Sequence, residues 1–312
     1  MFLRRLCGAE VVTRDPILAR YRFTNVFRAS DRVSQYLINH VIPGSRDSCE
    51  DLFFRIMLFK ILNRVDTWKY LLHRMGEPHW SIRCLEQIDA ELSAALAAGM
   101  RIYSAAYIIP CPLLGRIRKH SNHLVLLSQM MADRLPAKIQ VAKSLQDVFK
   151  LLLSYPSLGP FLAFQFAIDI NYSRLTDFSE MDFVVAGPGA VDGIQKCFAG
   201  VNRLQYEDII RAMVEMAPDR FEELGIPYPS LWGRELQLID CQNVFCEVAK
   251  YCRVAHPQIR SCSGRTRIKQ LFVTNREPLT ATYPSKWRLN TSVVTEPPPL
   301  TFTLPGTAAN VG

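Results

Sequence analysis

Along most of this chain apolar residues recur at the three-and-four spacing of amphipathic helices, and strict alternation is nearly absent. Val26, Val33 and Leu37 set that period over Tyr21 to Ile42, which predicts a helix closed by Pro43-Gly44-Ser45. Leu52, Ile56, Phe59 and Leu62 predict a second helix from about Ser48 to Val65. A third follows from Thr67 to Met75, stopped by Gly76 and Pro78. Ser81 is a natural N-cap for a helix reaching Leu96. Residues 101–115 are apolar but broken by prolines, and are expected to be irregular.

Helices are predicted again over His120 to Leu135 and Ser144 to Leu153. Pro156 to Gly159 is a tight turn, and the apolar helix Pro160 to Tyr172 opens with proline, whose missing N–H costs little there. Gly187-Pro188-Gly189 makes a second turn before a short helix to Phe198. Gln205 to Met216, Glu222 to Leu224 and Leu236 to Cys252 complete the set, and only residues 268–273 alternate weakly. The expected fold is therefore mainly α. It is a multi-helix domain over residues 21–275 in two lobes, about 21–135 and 136–275, after a lead-in of residues 1–20. Residues 276–312 form a Pro/Thr-rich tail, expected to be largely disordered after about residue 290.

Composition narrows the function classes. Hydrophobic residues make up 49% and charged residues 21%, so the chain can fold around a core without disulfides or metals. No apolar run approaches the ~18 residues of a membrane span, so no membrane partner is expected. Residues 1–10 lack the apolar stretch of a secretory leader, and nine cysteines without a dense framework fit reduced thiols. The expected location is intracellular: nuclear in a eukaryotic host, otherwise cytoplasmic. The net charge of +8 combines ten Lys with 27 Arg, so the excess is almost wholly guanidinium and suits an anionic partner such as nucleic acid.

Four segments carry candidate chemistry. On a helix, Asn25, Arg28 and Arg32 share one face, with Arg22 and Asp31 beside it; such a face grips phosphates, or is a solvated surface with an internal ion pair. Leu151 to Tyr172 joins two helices through a Pro/Gly hairpin. Its second helix start, at Ser157 and Gly159, offers free N–H groups to a DNA phosphate, or is an ordinary packing corner. Phe178 to Phe198 contains Gly187, Gly189 and Gly193, then Lys196, an arrangement suited to pyrophosphate or to plain punctuation. No Gly-Lys-Ser/Thr follows, so it is no P-loop and the chain is not itself a kinase of that kind. Asp182, in the apolar stretch before that turn, is expected to be partly desolvated and a candidate base or electrostatic stabiliser. Leu238 to Arg253 places Asn243, Glu247 and Lys250 on one helix face, and Arg265, Arg267 and Lys269 make a basic string after it. Neither His120 with His123 nor the spacing of Cys241, Cys246, Cys252 and Cys262 matches a metal pattern, so neither metal nor cofactor is expected.

The blocks YRFTNVFRASDRV, LFFRIMLFKILNRVDTW, SLGPFLAFQFAIDINYS, FSEMDFVVAGPGA and LQLIDCQNVFCEVAKY with GRTRIKQ occur in an order that resembles the helical domain attached to hydroxymethyl-deoxyuridine DNA kinases. That domain group is also described as the α-glutamyl/putrescinyl thymine pyrophosphorylase family. The resemblance implies a DNA-base hypermodification enzyme. It would act on a flipped thymine whose methyl carries hydroxyl or pyrophosphate and replace that group with an amine or amino acid. A separate kinase would supply the activated DNA.

The family is in turn similar to helix-hairpin-helix DNA glycosylases, whose hairpin reads Leu-Pro-Gly-x-Gly. Here the first of those glycines is replaced by Ser157, and Asp182 lies where the glycosylase aspartate would fall. Phe161 stands where glycosylase/lyases carry lysine, which argues against lyase chemistry. The resemblance implies Asp182 as a catalytic group; Lys196, Glu247 and Lys250 join it as candidates from the residue patterns above. The alternatives are a base-excision glycosylase without lyase activity and a DNA-binding module without catalysis.

Overall fold

The computed structural model describes residues 13–43, 48–202, 205–260, 262–273 and 281–295. The described chain is mostly helical. In order its helices are α1 (Pro16–Arg20), α2 (Arg32–Tyr36), α3 (Cys49–Leu62), α4 (Val65–Met75), α5 (Ile82–Ala97), α6 (Lys119–Ala132), α7 (Leu135–Gln140), α8 (Leu145–Leu153), α9 (Pro160–Asn171), α10 (Pro188–Cys197), α11 (Tyr206–Glu223), α12 (Leu238–Ala255) and α13 (Asn290–Thr295). Two isolated bridges, Tyr21 with Leu271 and Leu231 with Arg234, are the β pairing among the described residues. The weak alternation at 268–273 amounts to the first of them. None of the described helices is long and apolar enough to cross a membrane.

The chain divides into two compact units. One is continuous, Asp31–Val185, and the other joins the two chain ends, residues 1–30 and 186–312. The dividing points differ from the lobes expected at 21–135 and 136–275. Both α6 and α8 pack on α7, so the chain is continuous in space across residue 135.

In the continuous unit, α3 is buried nearly all round: Phe53, Phe54, Ile56, Met57 and Phe59 are each fully buried. A helix apolar on every side is a core helix rather than a surface one. Its start is set by Ser48, whose hydroxyl accepts from Asp51 N, and its end by Asn63 in the left-handed region at φ 49°. Ser81 and Ser144 cap α5 and α8 in the same way. The predicted helix from His120 to Leu135 ends early, because Arg134 turns left-handed at φ 55° and α7 restarts beyond it.

In the unit formed by the chain ends, α10 packs along α12. The predicted breaks after Met216 are absent, and α11 runs through Pro218 to Glu223. The tail is held within this unit ahead of about residue 290. Tyr283 is buried and pairs with Ser30 Oγ at 2.9 Å, while Asn290 exchanges two 2.8 Å bonds with the Tyr283 backbone. Residues 274–280 and 296–312 lie outside the described residues.

Candidate functional site

The helix predicted over Tyr21 to Ile42 does not form in its first part. Residues 22–27 are non-helical, a 3-10 turn covers Arg28–Ser30, α2 follows, and Leu37–Val41 is a π turn. The cause lies in where the backbone donors go. Arg22 N donates to Gln270 O, Thr24 N to Glu247 Oε2 at 3.2 Å, Phe27 N to Asn25 Oδ1 at 3.2 Å and Arg28 N to Asp240 Oδ1 at 2.6 Å. Asp240 Oδ2 also accepts from Gln237 N in the capping box of α12. One carboxylate therefore starts α12 and docks the N-terminal segment. The expected shared face of Asn25, Arg28 and Arg32 is absent, and Arg28 is 2% exposed, so it presents no solvent-facing phosphate grip.

Instead the segment and α12 border an open cavity of about 210 Å³. Phe23, Thr24 and Asn25 line one side, and Asn243, Glu247 and Tyr251 line the other. Glu247 Oε2 takes Thr24 N and, at 3.2 Å, Lys250 Nζ. The Lys250 ammonium also donates to the Arg22 carbonyl and lies 4.7 Å from the centre of the Phe23 ring. Both bonds to Glu247 fall on Oε2, so Oε1 keeps its acceptor capacity. Asn243 is 6% exposed, lines the same cavity and makes no side-chain hydrogen bond to the described residues. Buried amides are normally paired, so this one has unused donor and acceptor capacity beside the cavity. The back wall is braced by Tyr251, which donates to Asp15 Oδ2 at 2.6 Å; that bond holds the Asp15 carboxyl below its usual range.

Other expected partners are elsewhere. Lys196 is sealed at 2% side-chain exposure, 3.3 Å from the equally buried Asp192, and donates to Ala249 O. Gly187 caps the first turn of α10 while Lys196 sits in its last turn, roughly 14 Å along the axis, too far for one pyrophosphate to touch both. The glycines of this block answer to a helix rather than a ligand. A Cβ on Gly193 would stand 2.0 Å from Phe245 O, and one on Gly189 would stand 2.9 Å from Cys246 Sγ. Burial pushes the Cys246 thiol up to about 12, so it is protonated packing. Arg265, Arg267 and Lys269 are exposed at alternate positions, with Ile268 turned inward at 9%.

The continuous unit holds the rest. Residues 154–159 join α8 to α9 in a tight connection, and Ser157 adopts φ 66°, the left-handed conformation that glycine usually supplies. Gly159 shows the reverse. Its φ is −67° and nothing lies within 4 Å of an added Cβ, so neither backbone conformation nor internal packing calls for glycine there. Asp182 sits on a turn and is exposed, in contrast to the desolvated setting expected for it.

Sequence reasoning missed a buried ion pair, Lys60 Nζ to Asp169 Oδ2 at 3.0 Å, with Lys60 also bonded to Asn63 Oδ1. The available signal was a cation and an anion, each inside a largely apolar run.

Comparison with known proteins adds a family match. The model described as "5-hmdU DNA kinase, helical domain" matches residues 1–261. A 5-hmdU DNA kinase of Bacillus phage SP10 is 25% identical over 261 residues, covering 77% of this chain and 40% of that protein. The chain thus spans well under half the length of this relative. No solved structure matches.

Proposed function

The chain belongs to the family of 5-hmdU DNA kinase helical domains, and from that premise we propose that it modifies the 5-hydroxymethyl position of a pyrimidine in DNA. The kinase activity in the relative's name is not carried over. A separate kinase supplies the activated base, bearing pyrophosphate on its 5-methylene.

In this reading the base leaves the duplex and enters the cavity beside α12. The observation that carries it is the pair Asn243 and Glu247, one turn apart, both lining the cavity with unused hydrogen-bonding capacity. An amide offers one acceptor and two donors, which matches the imide edge of a uracil ring: its oxygen takes N3–H and its NH₂ reaches a ring carbonyl. Glu247 is the base. An amine or amino-acid nitrogen attacks the 5-methylene, the carbon–oxygen bond breaks, and its electron pair leaves with pyrophosphate. The proton lost by the nitrogen passes to Glu247. Lys250 fixes the Glu247 carboxylate and holds the Arg22 segment in place.

Contact with the DNA backbone is assigned to two surfaces, taken separately. Arg265, Arg267 and Lys269 supply exposed cations. In the other unit, the turn at Ser157 and Gly159 leaves open space at the start of α9, where a phosphate can approach N–H groups that a side chain would shield. The chemistry of Lys196, Gly187 and Gly189 is left to packing, and Asp182 is assigned no catalytic step.

The test is nucleoside mass spectrometry of duplex DNA carrying 5-pyrophosphomethyl-uracil, incubated with the protein and a panel of amines. A substituted base with release of pyrophosphate is the expected product. A free base would instead identify a glycosylase, and unchanged DNA despite tight binding would identify a non-catalytic module.

A further inference from the structure

Residues 101–119 of the continuous unit carry Arg101, Arg116, Arg118 and Lys119 and no acidic residue. The segment is irregular but held firmly from below. Ile102 and Ile109 are each 1% exposed, and Thr67 donates to Ile102 O. Asn122, buried at the start of α6, accepts from Leu114 N and Arg116 N and donates to the carbonyls of Arg116 and Arg118. His123 bonds Pro110 O through Nε2 at 2.9 Å and Tyr103 OH through Nδ1 at 2.7 Å. Against this fixed base, Leu113 is 94% and Ile117 104% exposed, and Ile108 is 62% exposed.

Single exposed apolar residues are ordinary on protein surfaces. A rigid loop that holds large aliphatic side chains fully in water, between guanidinium groups, is a different arrangement. Arg116 and Arg118 make no ion pair among the described residues; the nearby Asp89 is taken by Ser121 at 2.6 Å and His120 at 3.3 Å. Positive charge with protruding aliphatic groups fits a polyanion whose interior is apolar and stacked. Arginines meet the phosphates while a leucine or isoleucine enters between base pairs.

We propose that this loop is a wedge for duplex DNA, with Leu113 and Ile117 inserting at a base step and Arg116 and Arg118 holding the flanking phosphates. The proposal rests on the DNA reading given above, and concerns the continuous unit taken by itself. The insertion fills the space of the departing base, so unstacking depends on the wedge while affinity for an already unpaired strand does not.

The experiment uses the full chain and an oligonucleotide with 2-aminopurine beside 5-hydroxymethyl-uracil, read by fluorescence and by anisotropy. Wild type is expected to raise 2-aminopurine fluorescence in the duplex. Leu113→Ala/Ile117→Ala should lose most of that rise yet bind the single strand within about twofold of wild type, and Leu113→Met/Ile117→Leu should restore it. Arg116→Ala/Arg118→Ala should weaken duplex affinity about tenfold at low salt and reduce the salt slope by about two. All four side chains are exposed, so these variants are expected to fold, and circular dichroism checks this.

A full fluorescence rise in Leu113→Ala/Ile117→Ala would overturn the wedge and leave the DNA reading standing. Failure of wild type to bind duplex or single strand would overturn the DNA reading, and the wedge with it. Binding of wild type to phosphatidylserine vesicles but not DNA, lost on Leu113→Ala, would reassign the loop to a lipid surface.

Discussion

Lys60 and Asp169 meet at 3.0 Å with side-chain exposures of 2% and 0%, an ion pair sealed inside the continuous unit. Removing one partner strands the other charge in a medium that solvates it poorly. Asp169→Asn or Lys60→Met is therefore expected to destabilise this unit by about 3–5 kcal/mol. The double change Lys60→Met/Asp169→Leu should cost less than either single change, because no charge is left behind. Urea denaturation of the three variants checks the order.

Gly193 faces a backbone atom, which cannot rotate aside. With a Cβ 2.0 Å from Phe245 O, Gly193→Ala forces α10 and α12 apart. The expected loss is about 3 kcal/mol or more, at the upper end of overpacking costs. Thermal unfolding of the variant beside Gly189→Ala, where a sulfur is the nearest atom, measures the difference between a rigid and a yielding neighbour.

Gly159→Ala separates recognition from folding. The Cβ enters open space at an ordinary φ, so the stability cost is limited to the weaker capping of alanine, about 1 kcal/mol or less. If a phosphate approaches the start of α9, duplex affinity at low salt should fall about tenfold. Unchanged affinity in a binding titration would dismiss the hairpin as a phosphate contact.

His123 ties the Tyr103–Pro110 loop to α6 as a neutral ring, and burial pushes its pKa down to about 4. The unfolded ring protonates near its ordinary 6.5, so the unfolded state binds the proton first as pH falls. Stability contributed by the neutral ring is complete above about pH 6.5 and is lost progressively toward pH 4, by about 3 kcal/mol. His123→Gln, which keeps a donor and an acceptor but does not titrate there, should flatten that part of the stability–pH curve.

Glu247→Gln tests the proposed base. The amide keeps an oxygen for Thr24 N and Lys250, so DNA binding should persist while product formation drops by about 10² to 10⁴. Asp182→Asn, on an exposed turn, should leave the rate within about twofold, far below the effect of losing a proton acceptor. The opposite ranking in single-turnover assays would move the chemistry away from the cavity.

Most helices of the continuous unit were legible because their determinants are local. Ser48, Ser81 and Ser144 cap the helices that follow them, and Leu52, Ile56, Phe59 and Leu62 recur at helical spacing along α3. The segment from Arg22 to Arg28 was not legible, because its donors go to Glu247, Asp240 and Gln270, far along the chain. Helical spacing was present there, and tertiary hydrogen bonds overrode it. Asn243, Glu247 and Lys250 could be placed on one face from spacing alone; that Asn25 lies across from them could not. The glycines at 189 and 193 signalled close approach correctly, but spacing cannot say whether a phosphate or a neighbouring helix is what approaches. Lys60 and Asp169 were hidden because each interrupts an apolar pattern, and only three dimensions reveal that the interruptions meet.

The bond from Thr24 to Glu247 spans 223 residues and belongs to a unit made from both ends of the chain. During synthesis at ~5–20 residues per second, Thr24 leaves the ribosome roughly ten to forty seconds before Glu247 is made. Residues 31–185 are contiguous and meet no such delay. Through that interval Phe23 lacks the Tyr251 ring and the Lys250 ammonium that it meets in the folded unit, so this wall of the cavity can form only after α12 has been made.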